Sequence, residues 1–91
     1  MTKKLEWEKY EDRIKEIIYF HAQNNPNAEV LFKISEIDYG LRIDQDEIED
    51  FKKWLINKGL VKLIKYEGHN LFWCVANDSF LQEELNKKLF N

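Results

Sequence analysis

The side chains able to do chemistry in this chain are few and scattered. It carries two histidines, His21 and His69, and one cysteine, Cys74. A metal site needs three or four His, Cys or carboxylate donors at short, repeated spacing, and no such spacing surrounds either histidine. His21 reads as a half-buried packing residue on a helix face. Cys74 lies in the apolar run 71–76, where a buried, inert thiol is expected, and a lone cysteine closes no internal disulfide. No phosphate loop, nucleophile elbow or paired-carboxylate arrangement stands out. The residues point away from an enzyme, and no catalytic residue, metal or cofactor is assigned.

What the chain does concentrate is charge. Seventeen acids against fourteen bases give a net charge of −3. Five of the seven residues at 44–50 (DQDEIED) are acidic. Asp44, Asp46 and Glu47 suit the positive end of a helix, while Glu49 and Asp50 in the next turn are left to pair with Lys53. With Trp54 beside the apolar stripe of the same helix, Asp46, Glu49 and Asp50 form an acidic face that would suit a basic protein partner. The opposing set is Gln45, Lys52, Lys53, Lys62, Lys65 and His69, which could contact nucleic acid. Such contacts draw most of their affinity from neutralised phosphates, and a solvated face of mixed charge explains the same lysines.

These residues must be positioned by a single small domain spanning 1–91, which hides only roughly two-thirds of its unfolded surface. The stretch 34–61 organises it. Asp44 with Glu47 three residues on makes a capping box. Ile48, Phe51 and Leu55 follow at helical spacing, and Lys58-Gly59 supplies the stop. Upstream, Ser35 and Asp38 could cap a shorter helix carrying Ile34, Ile37 and Leu41, with Ile43 in the turn between the two.

At the amino end, Trp7, Tyr10, Ile14, Ile17, Ile18 and His21 share one face of a helix over 5–24, which Pro26 terminates. Residues 29–33 are too few for periodicity to separate a strand from a helical turn. Residues 60–66 and 71–76 read as a hairpin, its loop relying on Gly68 and Asn70 for positive φ, and Val61, Leu63, Leu71, Trp73 and Val75 are expected on its core face. A last helix, capped by Ser79 with Gln82, carries Leu81, Leu85 and Leu89. With Trp7 and Tyr10 these leucines offer a homodimer surface, although a stripe so narrow is usually satisfied within one chain. The opening MTKKLEWEKY is too charged for a signal peptide and no apolar run approaches spanning length, so a cytoplasmic protein with no membrane contact is expected.

Ile37, Leu41, Ile43, Ile48, Leu55 and Gly59-Leu60-Val61 fall where the winged-helix (winged helix-turn-helix) superfamily keeps its apolar positions and its helix exit, and the chain resembles that superfamily over most of its length. Arg42, Asp38 and Lys52 depart from the pattern. The resemblance implies an α+β fold in the order helix, short strand, helix, helix, two-stranded wing, C-terminal helix, with the strand at 29–33 pairing with the wing. It also implies that the helix after Asp44 would be the recognition helix, whose first turns enter the major groove in DNA-binding relatives. Here those turns repel phosphate, and only Gln45 could read a base. The expectation is a protein-interaction module whose partner is another protein or a second copy. The alternative is a DNA-binding transcription regulator using the wing and the late-helix lysines.

Overall fold

The first helix starts tight and then relaxes. Trp7–Tyr10 is a 3-10 turn, and Glu11–Asn24 (α1) continues it as α-helix, burying Ile14, Ile17, Ile18 and Ala22. The computed structural model describes residues 7–68 and 70–90; the expected helix start at Leu5 and the site residue His69 lie outside them. Pro26 opens a short 3-10 turn in which Asn27 and Ala28 both take positive φ, reversing the chain into the strand Glu29–Lys33 (β1). Ile34–Ile37 (α2) follows, then Ile48–Asn57 (α3), the hairpin Val61–Gly68 (β2) and Leu71–Ala76 (β3), and Asp78–Leu89 (α4). The result is a small α+β domain whose antiparallel sheet has the order β1-β3-β2.

Several local signals operate as their chemistry dictates. Glu47 Oε1 accepts from the backbone N–H of Asp44 at 3.0 Å, the reciprocal half of a capping box. A 3-10 turn at Gln45–Glu47 intervenes before α3. At its far end Gly59 takes φ +74, and the N–H groups of Gly59 and Leu60 reach back to Ile56 (3.0 Å) and Leu55 (3.1 Å). That pair of bonds is the Schellman motif, and it satisfies two of the last carbonyls of the helix.

Other caps move by a residue or two. The Ser35–Asp38 box does not form: Glu36 Oε2 accepts from the Lys33 N–H at 2.8 Å, so α2 begins earlier and lasts one turn. Leu41 therefore lies beyond it, in an extended connection closed by a turn in which Gly40 takes φ +86. At α4 the cap is Asn77, whose Oδ1 accepts from both the N–H (3.1 Å) and the hydroxyl (2.9 Å) of Ser79, in place of the expected Ser79–Gln82 box. At the hairpin, Gly68 ends β2 and Asn70 alone of the two takes positive φ, at +64°.

The core is aromatic at its centre. Phe51 meets Phe72 edge-on at 5.0 Å between ring centroids and Trp7 at 4.4 Å, while Phe32 stacks on Phe72 at 5.9 Å. This cluster decides which face of the hairpin is buried. Phe72, Cys74 and Ala76 point inward, so the expected core face of β3 is largely the wrong one: Trp73 is 42% exposed and Leu71 half-buried, and of the three residues expected there Val75 alone is buried. Val61 is buried as expected, but Leu63 is 43% exposed. Two irregularities in β2 explain this. The register skips Lys62 and Lys65, so Val61, Ile64 and Glu67 stand opposite Ala76, Cys74 and Phe72. Each bulge inserts one unpaired residue, turning an inward period of two into a period of three.

Candidate interaction surface

The acidic face is assembled by the turn that starts α3. Asp44, Asp46, Glu49 and Asp50 are exposed, and Glu47 is half-buried. The carboxylates of Asp44, Asp46 and Glu47 lie within 4.8 Å of one another. In water each such like-charged pair costs only about 1 kcal/mol, which the backbone N–H groups of the helix start help offset. Asp44, Asp46, Glu47 and Asp50 have no ion-pair partner among the described residues, whereas Glu49 pairs with Lys52 at 3.1 Å and not with the expected Lys53. Trp54 does not stand free beside it. Its ring is half-buried, its Nε1 donates to Glu8 Oε1 at 3.1 Å, and Lys58 Nζ lies 5.9 Å from the ring centroid. Trp54 therefore ties α3 to the amino-terminal turn.

The lysines expected to meet nucleic acid are largely engaged. Lys52 Nζ bridges Glu67 (2.9 Å) and Glu49 (3.1 Å). Hydrogen bonds to Glu67 first and Glu49 second raise its pKa above the ordinary value. Lys65 Nζ donates to Glu29 Oε1 at 2.9 Å and sits 5.1 Å from the Trp73 ring centroid, while Trp73 Nε1 donates to the same Glu29 oxygen at 2.8 Å. Those two bonds, from Lys65 and then Trp73, lower the Glu29 pKa. Lys62 approaches Asp78 at 3.6 Å. Exposed pairs of this kind contribute little stability, but a phosphate would have to compete with each. Gln45 and Lys53 are exposed, and Lys53 has no ion pair among the described residues.

The expected dimer surface is divided. Trp7 is only 6% exposed, because the 3-10 turn rotates it onto Phe51. Tyr10 is half-buried with its hydroxyl donating to Asp38 Oδ2 at 3.4 Å, and Leu81 is half-buried. Leu85 and Leu89 remain exposed. Trp7 is thus withdrawn from that surface, and the remaining exposed leucines do not form one face with it.

Two features were missed from the sequence. The outer face of the sheet leaves Leu31, Leu63, Tyr66 and Trp73 exposed. The signal was the run LFWCVA of β3, apolar on both phases, which only a sheet with two contact faces requires. The second is Asn70. Its Oδ1 accepts from the Ile43 N–H at 2.6 Å and its carbonyl from the Ile34 N–H at 2.8 Å. The hairpin tip thereby holds the first residue of α2 and a point within the connection between α2 and α3.

No helix among the described residues is long and apolar enough to cross a membrane. No known family, curated protein or solved structure matches the chain.

Proposed function

We propose that the domain is a non-enzymatic, cytoplasmic protein-interaction module on a winged-helix scaffold, and that its acidic α3 start docks a basic protein surface. The observation that carries this is the charge at the place a recognition helix would use: Asp44, Asp46, Glu49 and Asp50 are exposed there, while Lys52, Lys62 and Lys65 are held by Glu67, Asp78 and Glu29. The scaffold reading is supported by the order of elements and by β1 pairing with β3 of the hairpin. The first helix of the helix-turn-helix pair, α2, is cut to one turn, a departure from the two-helix unit that docks on DNA. The non-enzymatic reading is supported by the thiol of Cys74, which burial pushes up to about 12, and by His21, committed to Glu36 at 3.0 Å.

Binding of a fluorescent Lys/Arg-rich peptide and of mixed-sequence duplex DNA, each measured at roughly 50 and 200 mM salt, tests the proposal. The peptide should bind, more weakly at the higher salt, and Asp46→Lys with Glu49→Lys and Asp50→Lys should abolish binding. Tight, steeply salt-dependent retention of the DNA that is lost in Lys62→Glu with Lys65→Glu would overturn it in favour of a wing-led DNA-binding regulator.

A further inference from the structure

We propose that the cleft between the hairpin tip and the α2–α3 connection binds an oxyanion, a phosphate monoester or a carboxylate, carried on a flat apolar group. The cleft has a volume of about 420 Å³, within the usual range for small-molecule sites. Among the described residues its charged lining is two cations, Lys33 and Arg42. Neither side chain has an ion-pair partner among the described residues, a state they share with Lys9, Lys53 and Lys88, whereas Arg13, Lys15, Lys52, Lys58, Lys62, Lys65 and Lys87 all have one. In a chain of net charge −3, two cations without an ion pair line one concavity, although the charge of Lys33 also acts on Glu36, whose pKa it helps lower.

The nearby carboxylates are turned to other uses. Glu36 accepts from the Lys33 backbone N–H and from His21, and Asp38 accepts from Tyr10. Among the described residues no acid lines the cleft. The neutral groups complete a receptor. Asn70 Oδ1 is occupied by the Ile43 N–H, which assigns the amide orientation and leaves the NH₂ as a donor. Ser35 also lines the cleft. Arginine offers a planar fork matched to phosphate or carboxylate. Leu41 and Leu71 supply apolar wall, and the exposed Tyr39 ring lies at the rim. A bare anion would use the cations alone; the apolar wall selects one attached to a ring. This site is separate from the acidic start of α3, so either can fail without the other.

Amide chemical-shift titration of the whole chain tests this, with phenyl phosphate, inorganic phosphate and a phosphotyrosyl pentapeptide as probes. Phenyl phosphate should shift Ser35, Gly40, Leu41 and Leu71 saturably and bind more tightly than inorganic phosphate. Lys33→Ala with Arg42→Ala should weaken it roughly tenfold or more; both side chains are exposed, so the spectrum should otherwise keep its dispersion. Lys53→Ala, outside the cleft, should leave the affinity unchanged. A peptide that binds more tightly than phenyl phosphate assigns the anion to a modified protein side chain, and equal affinity assigns it to a free small molecule. Non-saturable shifts, or shifts that survive the double substitution, would overturn the proposal. So would duplex DNA moving the same amides when phenyl phosphate moves none.

Discussion

Asn70 ties the hairpin tip to the connection between α2 and α3. Its Oδ1 is 2.6 Å from the N–H of Ile43, a residue that is only 6% exposed, and it holds φ +64. Removing the side chain leaves a buried donor without a partner, which costs about 1–3 kcal/mol. Alanine must also take the left-handed backbone at a further cost of about 1–2 kcal/mol, which glycine avoids. Asn70→Ala should therefore destabilise by about 2–5 kcal/mol, and Asn70→Gly by about 1–3 kcal/mol. Asn70→Asp keeps an acceptor and a tolerated φ, and should stay within about 1 kcal/mol of wild type. For a domain of this size each kcal/mol lowers Tm by about 4–8 °C. Urea unfolding of the three variants, with m unchanged, measures the series. An Asn70→Ala protein as stable as wild type would refute the claim that the hairpin tip pins the connection, and equal losses for alanine and glycine would refute the strain component.

Two further outcomes are expected. Cys74 is buried with its thiol pushed up to about 12, so a disulfide reagent at pH 8 should label it only as fast as the domain opens; immediate labelling would mean that β3 is not sealed beneath α1. Stability should also fall at both ends of the pH scale. A hydrogen bond from Lys15 holds the Glu11 pKa down, and bonds from Lys65 and Trp73 do the same for Glu29; at Glu36 burial works against ionisation, yet His21 and the Lys33 N–H lower the pKa overall. With folded values below unfolded ones, their contribution is present above pH 4.5 and lost as pH falls through the folded values. Lys15, Lys52 and Lys58 are raised by Glu11, Glu67 and Glu8, so theirs is present below pH 10.5 and lost as pH rises past it. The urea midpoint followed from pH 2 to 11 checks the plateau, and Glu36→Gln should flatten its acid limb.

Much of the domain was legible in the chain because its signals are local. Asp44 with Glu47 marks the head of α3, Gly59 its end, and Pro26 the end of α1, each acting on backbone groups within a few residues. The order of the helices and the hairpin followed from these marks, while the strand at 29–33 did not, since so short a run shows no period. The acidity at the start of α3 was legible too, since charge in a surface turn needs no partner to be read. Tertiary structure decided the rest. The run LFWCVA is apolar on both phases, and only the Phe51–Phe72–Phe32 cluster together with the skipped Lys62 and Lys65 chose which face to bury. Trp7 left the surface because a 3-10 turn aimed it at Phe51. Asn70 reads as an ordinary turn residue until the fold brings it to Ile43, 27 residues away. A contact of that separation leaves no periodic trace along the chain; it exists only once packing has closed the loop between the two partners.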